Sequence, residues 1–377
     1  MDFIIVGGGV YGAGVAWELA RRGAEVLVLE AGEIASGASG GLGKRGVRAN
    51  GRDVRELPLM RAAYDLWPDL HERLGAPTGY ERVGNLHLLE RDLDLAGAGA
   101  QAWMQGQQGI ATTLLSAEAV REMEPDLHSR IRGALYCPDD GVADHTATTR
   151  ALAQAAQRHG AVIREHTQVT QLERSGDRIV AVITAQEERI EVGRTVLLLA
   201  NTFVPDLLKT QFGVTLPVWA MWPQIVLTEP VEPMPVHYLI GHASRTLAMK
   251  STPDSRVMIS GGWRGRLNPD TGQAEPQADQ VQGNVAEAVA VFPSLEGVAV
   301  AEAKTDRCES TTIDGIPIID RVPGLSNAVF ATGWSGHGWA IAPAVNQLLA
   351  DWVYSDRQDS QLYPFRYSRF TASSAMP

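Results

Sequence analysis

Four apolar residues, Phe3-Ile4-Ile5-Val6, run directly into Gly7-Gly8-Gly9-Val10-Tyr11-Gly12, and no other feature restricts the fold of this chain as tightly. A short apolar run that ends in glycines reads as a buried parallel strand, and Val15, Ala16, Leu19 and Ala20 follow it at helical spacing. A second apolar run, Glu25 to Leu29, ends in Glu30, about 20 residues after the glycines. Strand, glycine turn, helix, strand and acid form a dinucleotide-binding βαβ unit. Gly7 permits the sharp turn, Gly9 lets a pyrophosphate approach the backbone, and Gly12 allows the helix to pack closely on the strand. The unpaired N–H groups at the helix start favour the anion, and Glu30 accepts from ribose hydroxyls. The same carboxylate would repel a 2′-phosphate, which disfavours NADP.

After Glu30 the chain reads Ser36-Gly37-Ala38-Ser39-Gly40-Gly41-Leu42-Gly43-Lys44-Arg45-Gly46-Val47-Arg48. This is too glycine-rich for a helix and too polar for a core strand, so it is expected to be a loop beside the cofactor. Its N–H groups and the Ser36 and Ser39 hydroxyls suit phosphate or flavin oxygens. The cofactor-binding set in this part of the chain is therefore Gly7, Gly9, Val10, Tyr11, Gly12, Glu30, Ala31, Ser36, Ser39, Gly40, Gly41 and Leu42.

At 377 residues the chain exceeds one ordinary hydrophobic core, so two domains are expected. A net charge of -11 argues against a nucleic-acid partner, which would require a concentrated basic surface. Cys137 and Cys308 stand far apart, with no spacing suited to a disulfide framework or a metal site. The apolar start is too short for a signal peptide, and no later run approaches the length of a membrane span. These features point to the cytoplasm.

The chain resembles the flavin-dependent amine and amino-acid oxidoreductases typified by glycine oxidase, sarcosine oxidase and its β-subunit relatives. The resemblance rests on Gly7, Gly9, Gly12 and Glu30, on Ser36-Gly37-Ala38-Ser39, on Asp314-Gly315-Ile316-Pro317-Ile318-Ile319-Asp320 and on Gly333-Trp334-Ser335-Gly336-His337-Gly338. It implies FAD and an α/β fold: a Rossmann-like, GR2-type FAD-binding domain with a substrate domain built on an antiparallel β-sheet. The expected boundaries are 1–80, 139–215 and 301–377 for the FAD-binding domain, and 81–138 and 216–300 for the substrate domain. Residues 146–159 read as a helix closed by Gly160. Ala161 to Glu165, Gln168 to Glu173, Ile179 to Thr184 and Thr195 to Leu199 read as strands. Leu216 to Thr228, Thr246 to Ser251 and Val257 to Gly262 read as substrate-domain strands, and 276–291 as a helix. Val298 to Arg307 is expected to carry the chain back toward the flavin domain.

By resemblance, Val169 lies beside the adenine, Ala200 and Asn201 near the cofactor, and Gly333, Gly336, His337, Gly338 and Trp339 around the flavin. A helix from about Trp339 to Trp352, with Pro343 in its first turn, points its positive end at the flavin pyrimidine. Arg45 and Arg48 are expected over the flavin, where a guanidinium can engage a substrate carboxylate. Lys250 matches a lysine that promotes reaction of reduced flavin with oxygen. The expected catalytic set is His337, Arg48 and Lys250.

Three departures from the family pattern stand out. Glu309 replaces a carboxylate-clamping Arg and could instead attract a cationic group on the substrate. Ala340 replaces a second clamping lysine, and Asn201 stands in Ala200-Asn201-Thr202-Phe203 where relatives read Ala-Gly-Ala-Trp. Arg307 occupies the place of a cysteine that binds flavin covalently, so noncovalent FAD is expected. The favoured reaction is oxidation of the C–N bond of a small amine, a secondary or N-methyl amino acid, with oxygen or another electron acceptor. An FAD-binding subunit of a heteromeric dehydrogenase and an NADPH-dependent flavin hydroxylase are the alternatives.

Overall fold

The computed structural model describes residues 1–39, 43–305 and 307–371. Strand β1 (Phe3–Val6), helix α1 (Val10–Ala20) and strand β2 (Val26–Leu29) form the expected βαβ unit. β1 is central in a six-stranded sheet, pairing in parallel with β2 on one side and with Thr195–Leu198 on the other. Ala328–Thr332 extends the sheet in parallel beyond Thr195–Leu198, and Val162–Arg164 extends it beyond β2. Only the edge strand Ile318–Arg321 runs antiparallel. Both faces of β1 are covered, which is why its sequence is continuously apolar. Phe3 and Ile5 join the core formed with α1 and the helices His145–Arg158 and Gly338–Ser355. Ile4 and Val6 join the opposite core, with the helix Val204–Phe212 and a three-stranded antiparallel meander.

An eight-stranded sheet forms the second layer system. Its order is Val300–Lys304, Ile225–Thr228, Val257–Ser260, Ala248–Ser251, Leu239–His242, Asn85–Leu89, Gly133–Cys137 and Thr113–Ser116. All neighbours are antiparallel except Leu239–His242 against Asn85–Leu89. The helix Ala278–Val291 packs Ala288 and Val291 against it, beside Val226, Met249 and Ile259. The segment expected to return to the flavin domain first contributes Val300–Lys304 to this sheet. It then forms a two-stranded ribbon, Glu309–Thr312 against Val218–Met221.

Two local expectations are corrected. Lys44–Val47 is a strand, β3, paired antiparallel with Gly141–Asp144, and not part of a loop. Its exit is pinned by Asp140, whose fully buried carboxylate accepts from Ala49 N at 2.6 Å, so a polar segment holds extended pairing without an apolar run. The last long helix begins at Gly338, placing Pro343 in its second turn. Without an N–H, Pro343 leaves the Trp339 carbonyl with no i+4 partner in the helix.

Candidate active site

The glycine turn behaves as its chemistry requires. Gly7 adopts φ +110°, and a Cβ on Gly12 would stand 1.8 Å from the Gly7 carbonyl oxygen, so this glycine sets the closeness of α1 to β1. A Cβ on Gly9 would meet no protein atom within 4 Å. The helix start at Gly9 carries no side-chain cap, which leaves its first N–H groups available. Glu30 is fixed from both sides: Gly8 N donates to Oε2 at 2.5 Å and Gly32 N to Oε1 at 2.8 Å.

These groups open onto a cavity of about 830 Å³ that extends from Gly9 and Glu30 to Met249 and Met258 of the eight-stranded sheet. Its wall includes Gly7, Val10, Tyr11, Ala31, Ser36, Ser39, Arg45, Val169, Ala200 and Asn201. Gly336, His337, Gly338, Trp339, Arg48 and Lys250 also line it. Gly12, inside α1, and Gly333, at φ +76°, do not line it, while Gly40, Gly41 and Leu42 lie outside the described residues. Trp339 Nε1 and His145 Nε2 are buried in this wall without hydrogen-bond partners among the described residues. Open backbone at Gly9, an uncapped helix start, a fixed carboxylate and orphaned ring nitrogens fit a bound FAD.

Tyr11 joins the two ends of the chain. Its ring stacks on Trp334 with centroids 3.8 Å apart, and its hydroxyl donates to the Gly338 carbonyl at 2.5 Å. The first turn of α1 is thereby tied to the glycine loop that precedes the C-terminal helix. His337 caps that helix, and Arg52 Nη2 donates to its carbonyl at 2.7 Å. Burial, opposed by a bond to Glu56, lowers the His337 pKa. Glu56 is fully buried, 3.3 Å from Arg52 Nη1, and its Oε2 lies 3.8 Å from His337 Nδ1. Burial raises the Glu56 pKa, but Arg52 and His337 overcome it and hold the carboxyl below its usual value.

The opposite wall is basic. Arg48 donates to the Asn50 carbonyl and makes no ion pair among the described residues. Burial lowers its pKa, with Arg52 adding to the effect. Tyr64 and the N–H groups of Ala49 and Asn50 all donate to Asp140, which fixes the backbone next to this guanidinium. Burial pushes Lys250 down to about 7, reinforced by Arg45, and its Nζ donates to the Lys44 carbonyl. Arg45 itself is lowered to about 10 by burial and by Arg307.

Sequence reading missed several neighbours. Arg52 and Glu56 are spaced i,i+4, a detectable signal. His87 interrupts the apolar strand Asn85–Leu89, and burial with Arg48 pushes it down to about 4. Gln224 and Thr311 have no signature in sequence. Glu309, expected as an odd carboxylate, accepts from Ser39 Oγ at 2.7 Å, Asn201 Nδ2 at 2.9 Å and Ser310 N at 2.8 Å.

A family model described as DAO, FAD dependent oxidoreductase, matches residues 2–352. The chain is 29% identical over 371 residues to 4-methylaminobutanoate oxidase (formaldehyde-forming) of Paenarthrobacter nicotinovorans, covering 93% of this chain and 43% of that protein. It is 25% identical over 378 residues to sarcosine oxidase subunit beta of Arthrobacter sp, covering 98% and 91%. The L-proline dehydrogenase structure from P. horikoshii superposes with a TM-score of 0.87 at 25% identity, covering 98% of this chain and 97% of that one. Among the described residues, no helix is long and apolar enough to cross a membrane.

Proposed function

The chain belongs to the DAO family of FAD-dependent oxidoreductases, and from that premise we propose that it oxidises the C–N bond of a small secondary or N-methyl amino acid. The observation that carries this reading is Arg48, a guanidinium lining the cavity with no ion pair among the described residues, on the same wall as Arg45 and Lys250. Asp140 and Glu56 act on this partly buried cation only at a distance, which leaves its fork free to take a substrate carboxylate with bidentate geometry. The names of the relatives agree, since 4-methylaminobutanoate, sarcosine and proline each carry both a secondary amine and a carboxylate, on the same carbon in sarcosine and proline and at opposite ends of the chain in 4-methylaminobutanoate.

FAD, when bound, supplies the hydride acceptor. Gly9 and the α1 start would hold its diphosphate, Glu30 its ribose, and Val169 the adenine. Arg48 orients the substrate by its carboxylate, which places the carbon bearing the amine toward the Gly338 end of the C-terminal helix. The uncapped N–H groups of that helix favour negative charge at this point. His337, held by Arg52 and facing Glu56, positions the turn. The imine released is then hydrolysed in water.

The test is anaerobic bleaching of the yellow holoenzyme by a panel of sarcosine, glycine, proline, hydroxyproline, D-amino acids, opines and amines without a carboxylate. Bleaching confined to secondary amines with a carboxylate supports the reading, whereas bleaching only by amines without one sinks it. The same experiment, run without any partner chain, addresses assembly with a second subunit, a possibility raised by the relative named subunit beta. Turnover with oxygen alone, against an artificial acceptor, separates oxidase from dehydrogenase. The hydroxylase alternative is not favoured by these relatives. A cytoplasmic location is supported by Cys137 and Cys308 both being free thiols.

A further inference from the structure

His87 interrupts the otherwise apolar centre of the strand Asn85–Leu89 and lines the cavity. Its ring has room because Gly241 stands directly opposite in the neighbouring strand, where a Cβ would lie 3.0 Å from His87 Nδ1. The imidazole makes no hydrogen bond or ion pair among the described residues. Gly51, also in the cavity wall, relates it to Arg48. A Cβ built on Gly51 would stand 3.2 Å from Arg48 Nη1 and 3.7 Å from His87 Cε1, with no other described atom beyond its chain neighbours within 4 Å. Guanidinium and imidazole therefore flank one small open volume. Asn50 fixes the arrangement. Arg48 donates to the Asn50 carbonyl, and Asn50 Nδ2 donates to Asn85 Oδ1 at 2.9 Å and to the Leu135 carbonyl at 3.0 Å. Asn85 shares a strand face with His87, and Leu135 is the register partner of His87 in the next strand.

The two groups differ in charge and in what they can bind. Arg48 gives one side-chain hydrogen bond among the described residues, from Nη1, so Nη2 and Nε remain for a carboxylate. His87 is uncharged at neutral pH, since burial, Arg48 and His242 push its pKa down to about 4. A neutral imidazole keeps a lone pair on one ring nitrogen, and that lone pair takes a donor. An alkyl group or an ether oxygen offers it no proton, and a second cation is repelled by Arg48. An N–H or O–H close to a carboxylate satisfies both groups, and the C–N chemistry proposed above selects the N–H. The charges of Arg48 and Arg52 favour the amine in its uncharged form at this place.

We propose that His87 is a specificity-determining residue: its imidazole accepts a hydrogen bond from the amine N–H of the amino acid whose carboxylate Arg48 holds. The assignment rests on the proposed function for the carboxylate at Arg48. It adds a distinction that the carboxylate contact does not make. An uncharged secondary amine carries one N–H and an uncharged tertiary amine carries none, so His87 favours N-methyl over N,N-dimethyl amino acids.

Holoenzyme is titrated with two non-oxidisable rings of nearly equal shape: pyrrole-2-carboxylate, which has an N–H, and 2-furoate, which has an oxygen in its place. Perturbation of flavin absorbance gives dissociation constants for wild type, His87→Leu and Arg48→Met. Wild type binds the pyrrole about tenfold more tightly than the furan, and the preference falls to within about twofold in His87→Leu. Should His87→Leu fail to hold its flavin, His87→Phe, which keeps a flat ring without a lone pair, makes the same comparison. Arg48→Met weakens both rings together. Equal, Arg48-dependent binding of the two rings by wild type overturns the role of His87 and leaves the carboxylate at Arg48 standing. A preference that survives the loss of the imidazole also overturns it. If neither ring binds wild type, or both bind Arg48→Met as well as wild type, the carboxylate does not lie on Arg48. The proposed function then loses its carrying observation, and the assignment of His87 falls with it.

Discussion

Asn201 Nδ2 donates to Glu309 Oε1 across 2.9 Å, so the two residues that the sequence resemblance marks as departures form a bonded pair. Ser39 Oγ reaches the other carboxylate oxygen at 2.7 Å. The Glu309 side chain thereby joins three separate segments around the cavity: the stretch after β2, the turn after Thr195–Leu198, and the ribbon strand. Glu309→Ala removes the shared acceptor and leaves the Ser39, Asn201 and Ser310 donors unmatched. The expected result is a loss of about 2–3 kcal/mol in stability and an FAD dissociation constant raised about tenfold. Fluorescence titration of the apoprotein with FAD checks the second value, and unchanged FAD affinity would refute the bridging role.

The βαβ unit was readable in sequence because each of its parts has a local cause: period, glycine geometry and one acid at fixed distance. The Glu309 arrangement was not readable, because its donors are 270 and 108 residues away and only the fold brings them together. Arg48 and Lys250 were expected at the site, but the polar wall at Gln224 was not, since a lone Gln between two strands looks like any surface residue. Lys44–Val47 was misread for a related reason. Its pairing with Gly141–Asp144 is set by the buried Asp140, a long-range constraint that hydropathy does not register.

Lys250 gives the site a pH dependence. Its pKa is pushed to about 7 from an unfolded value of 10.5, chiefly by burial. As pH rises through about 7 the ammonium is lost in the folded protein, and attraction for a carboxylate weakens. Binding of a non-reacting carboxylate to the holoenzyme is therefore expected to weaken several-fold between pH 6 and pH 8, and to be nearly flat over that range in Lys250→Met. The linkage to stability has the opposite sign: between 7 and 10.5 the unfolded chain holds a proton that the folded chain does not, so this residue contributes increasing stability as pH rises. A Lys250→Met variant with the same binding profile as wild type would remove Lys250 from the site.

Flavin attachment is expected to be noncovalent. The sequence resemblance sets Arg307 where a linking cysteine is expected, and Cys308 next to it does not line the cavity. Burial also raises the Cys308 pKa, which keeps it a poorly nucleophilic thiol. Acid precipitation is expected to leave a white pellet and a yellow supernatant. Yellow colour retained in the pellet would show a covalent bond that the residues around Arg307 do not account for.

Gly9 and Gly12 separate the folding role of the glycine turn from its binding role. A Cβ at Gly12 would lie 1.8 Å from a backbone oxygen, which no side-chain rotation relieves, so Gly12→Ala must push α1 away from β1. The expected loss is about 3 kcal/mol or more, seen as a lowered unfolding midpoint with or without FAD. Gly9 has an ordinary extended backbone, φ -73° and ψ -174°, and nothing within 4 Å of the added carbon. Gly9→Ala is therefore expected to leave the apoprotein midpoint within about a degree of wild type. The new methyl occupies the approach to the helix start, so FAD affinity falls at least about tenfold and the purified variant is pale. Apoprotein that unfolds early in Gly9→Ala, or full yellow colour in the purified variant, would mean that the diphosphate does not approach the backbone at this turn.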